Sequence, residues 1–233
     1  MLIKRFTKPL LSYGSFYVLT LLLYVAFVKV TLFFTGKTLS TTEESVLFFM
    51  YKSATLISVC FILYLFYDRK WKETFSRRLI SLVEWKLILK GIGLIAAINI
   101  GLFLLLLVTG QASSQPENQR SIIEMFSHGF FWQLITVIFI APLAEELFYR
   151  GFLMKFIGRF FEIEKKLKKW VTLVVVSMLF AASHSINLFS FDFVIYFSLG
   201  FILGLSYWKT KRIEVPILIH MLNNALSFLI MLI

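Results

Sequence analysis

Three short stretches carry residues able to do chemistry where the surrounding sequence is apolar. "APLAEELFYRG" (141–151) holds Glu145, Glu146 and Arg150; "FAASH" (180–184) ends in His184; "HMLNN" (220–224) holds His220, Asn223 and Asn224. A charged side chain at the centre of a membrane helix costs about 2.5–3.5 kcal/mol on insertion scales. Charges kept together in one such stretch therefore need a reason. On an α-helix Glu146 and Arg150 are four apart with the acid first, the favourable order for an ion pair on one face. Such a pair offsets much of its own desolvation without guaranteeing net stabilisation. Glu145 is turned about 100° from Glu146 and points elsewhere, which makes it a candidate base or ligand. The competing reading is that both glutamates only hold helices together.

A carboxylate, two imidazoles and a carboxamide suffice to hydrolyse an amide. Glu145 would take a proton from water and His184 would orient that water. His220 and an asparagine would donate to the oxyanion that develops on the attacked carbonyl. Asn224 lies one turn beyond His220 on the same face, and Asn223 lies three residues on; spacing does not choose between them. Ser183 adjoins His184, but neighbours on a helix point apart, which argues against a serine–histidine dyad. A metal is the competing arrangement. Glu145, His184 and His220 offer three ligands with an open fourth position, as catalytic Zn2+ requires, although the H-E-x-x-H helix signature is missing. Both routes stay open. His128 reads as a solvated interface residue, and Lys29, Lys52 and Lys155 as structural or snorkelling lysines.

The elements that must position these groups follow from composition. The chain has 233 residues, is 59% hydrophobic and has a mean hydropathy of +0.83, against about 45–50% apolar residues in soluble domains. That leaves too little polar sequence for a soluble shell. The pattern predicts an all-α, polytopic transmembrane helix bundle forming one membrane domain, 1–233. Seven spans of about 20 residues run over 9–34, 46–67, 89–109, 129–157, 170–184, 193–208 and 215–233. Segment 79–90 ("LISLVEWKLILK") is read as an amphipathic interfacial helix, or as an eighth span. The first three spans, 9–109, form an N-terminal part; 129–233 form the core that carries all three stretches, since bundles build polar sites by projecting side chains inward from facing helices.

Basic residues cluster at the N-terminus and in 68–78, 158–170 and 209–214, while the alternate loops hold only Lys37 and Arg120. The positive-inside rule then places the N-terminus in the cytoplasm and the C-terminus outside. The same distribution turns the net charge of +11 away from nucleic acid and towards topology and anionic lipid headgroups. A lone cysteine, Cys60, excludes an intramolecular disulfide and reads as a small apolar filler. The N-terminus shows no convincing cleavage site, so a retained first span is expected. Internal repeats, which transporters usually carry, are not found.

The ordered set Glu145-Glu146-x-x-x-Arg150, Phe180-x-x-x-His184 and His220-x-x-x-Asn224 resembles the motifs of the CAAX-protease and bacteriocin-processing (CPBP, or Abi) family, related to the Ras-converting CAAX endopeptidases. The likeness covers roughly 129–233. It implies an intramembrane endopeptidase with Glu145 as general base, His184 orienting the water, and His220 with Asn224 stabilising the oxyanion. Glu146 and Arg150 take a supporting role, and Asn224 is chosen over Asn223. Members are described both as metalloproteases and as metal-independent glutamate proteases, so no cofactor is required beyond the Zn2+ alternative. The expected substrate is a peptide or protein segment (a bacteriocin, a signal peptide or a CAAX-like C-terminus) entering from the membrane or its cytoplasmic face, in a bacterial cell membrane. The alternative from another class is a non-catalytic scaffold or immunity protein that binds a partner membrane enzyme.

Overall fold

The computed structural model describes residues 43, 46–47, 49–50, 53–54, 76, 78–110, 131, 134–158, 164–185, 187–188, 190–231. The expected spans 9–34 and 46–67 fall outside these apart from isolated positions, as do Lys29, Lys52, Cys60 and His128. The described residues are helical or in turns, with no strand among them. The chain divides into two compact units: Met1–Lys72 with Ile122–Leu147, and Glu73–Ser121 with Phe148–Ile233.

In the first unit, the π-wound turn Thr136–Ile140 leads into a short α-helical segment, Ala141–Glu146, with Pro142 in its first turn. Proline is tolerated there because an N–H at the start of a helix has no intrahelical partner.

The second unit is built on four long helices: α1 (Leu82–Val108), α2 (Lys165–Ala182), α3 (Phe191–Thr210) and α4 (Glu214–Met231). The π-helical segment Leu147–Leu153, which brings Arg150 to this unit, and the α-helical turn Met154–Ile157 precede α2. Ser81 starts α1 through a capping box, its side chain accepting from the Glu84 backbone N–H while Glu84 accepts from the Ser81 N–H at 2.7 Å. Reciprocal capping of this kind satisfies two orphan donors at once. It explains why 79–90 is neither a separate interfacial helix nor an eighth span: from Leu82 onward it is the beginning of α1.

Glu84, Ile88, Gly91 and Ile95 form the buried stripe of α1. Leu89, Leu94, Ile100, Phe103 and Leu104 on its other sides are more than half exposed. A helix apolar on every side yet mostly uncovered suits hydrocarbon, not water. α1 and α3 are each long and apolar enough to cross a bilayer, and α4 is a somewhat shorter apolar helix. These features describe an integral membrane protein.

α2 turns a regular stripe towards α3: Thr172, Leu173, Val176, Ser177, Phe180 and Ala181 are buried. Two glycines on α3 permit the close approach. A Cβ on Gly204 would collide with Leu173 Cδ1, and one on Gly200 would stand 3.1 Å from Phe180 Cδ1. Buried hydroxyls in this seam satisfy themselves on their own helices, Ser177 donating to the Leu173 carbonyl (2.7 Å) and Ser206 to that of Leu203 (2.7 Å).

α3 stops at Lys211, whose left-handed φ of 56° ends the helix, and only Lys211–Ile213 separate it from α4. Arg212 in this turn is 9% exposed. It donates to Glu84 of α1 (3.1 Å), to Glu214 of α4 (3.3 Å) and to the Arg78 carbonyl (2.9 Å). The hydrogen bond to Glu214 is the main reason its pKa is raised above the ordinary arginine value, so the clamp stays charged. Ser76 N–H also donates to Glu214. One guanidinium thus ties together the start of α1, the end of α3 and the start of α4. The bidentate geometry that arginine offers is what this crossing needs.

Candidate active site

The site in the second unit is organised around the ring of Phe180, which is fully buried in the last turns of α2. His184 follows one turn later, just past the helix end, where its N–H bonds to the Ala181 carbonyl at 3.0 Å. Its imidazole lies between two aromatic rings, with centroids 4.6 Å from Phe180 and 4.6 Å from Tyr196 of α3. The His220 ring, 3% exposed on α4, meets the same Phe180 edge-on at 5.9 Å. Arg150, fully buried, places its guanidinium carbon 4.9 Å from the Phe180 centroid and donates to the Gly200 carbonyl at 2.9 Å. The two expected histidines and the expected arginine therefore converge on one phenylalanine.

The protons on His184 can be assigned from the groups around it. Its Nδ1 lies 2.8 Å from the Phe180 carbonyl oxygen. A carbonyl only accepts, so Nδ1 carries the hydrogen. Ser183 Oγ is 3.1 Å from the same nitrogen, closer than a regular helix would place it, because the helix has already ended at Ala182. That hydroxyl donates to the Phe180 carbonyl at 2.7 Å and accepts from the Tyr149 hydroxyl at 2.9 Å. With its hydrogen committed and a protonated nitrogen beside it, Ser183 does not have the arrangement of a serine nucleophile activated by histidine. Nε2 is the other ring nitrogen, whose role follows the tautomer.

On α4, Asn223 Nδ2 donates to Asn224 Oδ1 at 3.3 Å. This uses the oxygen of Asn224 as acceptor and makes its amide nitrogen the donating end, one turn beyond His220. Glu145 and Glu146 belong to the first unit, at the end of Ala141–Glu146; Glu145 is half-buried and Glu146 is 0% exposed. Immediately after them the backbone winds as a π-helix, with i→i+5 bonds in place of i→i+4. Same-face reasoning based on 3.6 residues per turn stops at Glu146. Wide helical turns of this kind recur at functional sites.

The metal alternative needs three convergent ligands. Among the described residues no group of three or more His, Cys, Asp or Glu forms a metal cluster.

Tyr149, Tyr196 and Gly200 were not singled out from the sequence. Tyr196 and Gly200 are four apart on α3 and share a face, a polar aromatic and a gap in an otherwise apolar span. Gly200 has a testable role. A Cβ there would stand 3.3 Å from both Phe180 Cβ and Cγ, besides the 3.1 Å approach to Cδ1, so Gly200→Ala should push the ring that both imidazoles rest on. Misplacement of about 1 Å can cost 10²-fold in rate. A shift of a few tenths should lower activity roughly tenfold, with circular dichroism and thermal unfolding little changed.

Residues 127–226 match the family model of the type II CAAX prenyl endopeptidase Rce1-like proteins. The chain is 28% identical over 145 residues to the membrane-embedded CAAX protease MroQ of Staphylococcus aureus (strain USA300), an alignment covering 62% of this chain and 56% of that protein. The chain thus spans little more than half the length of this curated relative. No solved structure matches. The family match contains all three sequence stretches, including the Phe180-centred pair of histidines, and with the relative it supports membership of the CAAX-protease and bacteriocin-processing family.

Proposed function

We propose that the protein is an intramembrane endopeptidase that hydrolyses a peptide bond with an activated water, without a serine or cysteine nucleophile. Glu145 takes a proton from the water, which His184 orients by accepting its second hydrogen at Nε2. The hydroxide attacks the scissile carbonyl carbon, and the oxyanion is held by donors on His220 and Asn224. Collapse breaks the C–N bond as the protonated Glu145 returns its proton to the departing amine. Glu146 and Arg150 support the arrangement, Arg150 by bracing Phe180 and the Gly200 backbone.

The observation that carries this reading is the convergence of His184 and His220 on the ring of Phe180, with His184 Nδ1 held by the Phe180 carbonyl. The names of the matched family and of the relative add a CAAX-type peptide substrate at a membrane.

The test uses protein purified in detergent, given peptides extracted from membranes of its own cell, with products read by mass spectrometry. It is run with and without 1,10-phenanthroline. Fragments in both arms support metal-free water activation. Fragments abolished by the chelator and restored by Zn2+ would assign the water to a metal. No fragments from a folded protein would leave the non-catalytic scaffold as the better account.

A further inference from the structure

Lysines gather where α2 begins and α3 ends. Lys165, Lys166, Lys168 and Lys169 lie in the first turns of α2, and Lys209 and Lys211 at the end of α3. The two ends touch: Lys169 Nζ stands 4.9 Å from the Trp208 ring centroid, and Trp170 meets Trp208 edge-on at 6.3 Å. Lys211 senses its neighbour, since partial burial and then repulsion from Lys169 lower its pKa. A carboxylate between such a pair would relieve the repulsion. Glu84 and Glu214, however, are held by Arg78 and Arg212. Among the described residues no carboxylate, Glu164 at the start of α2 included, forms an ion pair with Lys169 or Lys211.

The same corner continues into apolar surface. Trp170 stacks on Phe201 of α3 at 6.3 Å, and Phe201 meets Phe197, one turn earlier, at 6.1 Å. Both phenylalanines line a groove of about 190 Å³ between α1 and α3, with Leu94, Ile98, Ser198 and Ile202. Lys90 shares the Leu94 and Ile98 face of α1, one turn nearer the basic end. A row of aromatic rings therefore runs from the ammonium groups into the groove. Along α3, Phe197 is about 17 Å from Trp208 at 1.5 Å per residue, and half of a hydrocarbon core is about 15 Å. Tryptophan and lysine mark the membrane–water interface. The groove thus lies at the depth reached by the tail of a lipid whose headgroup rests on these lysines.

We propose that this corner is a binding site for one anionic phospholipid, with its phosphate at Lys169 and Lys211 and one acyl chain lying along Trp170 and Phe201 into the groove between α1 and α3. Two uncompensated ammonium groups favour a headgroup of net negative charge, as basic pockets between membrane helices do. A zwitterionic headgroup brings its own cation beside the phosphate and meets repulsion from the same lysines. A free phosphate leaves the groove unfilled. The site is separate from the histidines and does not rest on the peptidase reading.

Native mass spectrometry of delipidated protein in detergent tests the site by measuring the affinity for the first lipid bound. Wild type should bind dioleoylphosphatidylglycerol about tenfold more tightly than dioleoylphosphatidylcholine, as two lysines near a headgroup allow. Lys169→Gln combined with Lys211→Gln should remove that preference. Lys165→Gln combined with Lys166→Gln, an equal loss of charge at the outer end of α2, should keep it. Leu94→Trp, at a position more than half exposed, should fill the groove and weaken the dioleoyl anionic lipid severalfold. It should leave dihexanoylphosphatidylglycerol, whose tails are too short to reach the groove, unchanged. Ser198→Phe repeats this test from the α3 wall, with circular dichroism as the folding control for every variant. No preference of wild type for the anionic lipid overturns the proposal, and so does equal loss in the two double lysine variants. Glycerol phosphate binding as tightly as the long-chain lipid overturns the lipid assignment. Unchanged dioleoyl affinity in both folded groove variants overturns the path of the acyl chain.

Discussion

Replacing Glu145 by glutamine should abolish product formation while leaving the fold intact. Glutamine keeps the size and much of the hydrogen bonding of glutamate but cannot take a proton from water. Loss of a positioned general base costs about 10²–10⁴-fold, and the effect should fall on kcat. Glu145→Asp, which retains the carboxylate one methylene short, should recover part of the rate. The half-buried position of Glu145 makes a large change in stability unexpected. Single-turnover assays on detergent-purified protein, with circular dichroism as the folding control, would measure both effects. Equal rates for wild type and Glu145→Gln would remove Glu145 from the chemistry.

The second large effect is expected at Asn224. If its amide nitrogen donates to the oxyanion, Asn224→Ala should lower kcat by about 10²–10³-fold, the cost of one lost oxyanion donor, with KM nearly unchanged. Asn223→Ala removes only the donor to Asn224 Oδ1, and should cost less because it loosens the orientation of that amide without deleting it. The ratio between the two variants is the informative quantity. A larger loss at Asn223 would exchange their roles.

Much of the helical frame was legible because each signal had a local physical cause. The span expected at 193–208 is α3, Phe191–Thr210, started by Ser190 and ended by the left-handed Lys211. The span expected at 170–184 extends back to Lys165 as α2, because lysines extend a helix out of the apolar layer without breaking it. The segment 79–90 was harder to place. Hydropathy alone separated its charged residues from the span that follows, whereas the Ser81–Glu84 capping box joins them into one helix. The same pattern hid the role of Glu84, whose partner Arg212 lies far along the chain.

The candidate site's residues were proposed from their types and order, and its geometry was less legible. His184 and His220 could be paired from motif order, but their common contact with Phe180 depends on how α2 and α4 pack. The Ser183 contact depends on the helix ending one residue earlier, which no apolar pattern signals. Likewise the π-winding after Glu146 leaves no mark in periodicity over so short a stretch. Tyr196 and Gly200 sit on a helix without a polar motif, and only packing identifies them.

The central claim is that this chain cuts peptide bonds in a membrane. The most direct measurement compares membranes of cells carrying wild type with membranes of cells carrying Glu145→Gln at equal abundance, reading every new peptide terminus by mass spectrometry. The account predicts termini found only with wild type, matched by accumulation of the uncut precursor in the variant. Identical termini in both, with the variant still replacing the wild type in a deletion strain, would contradict it.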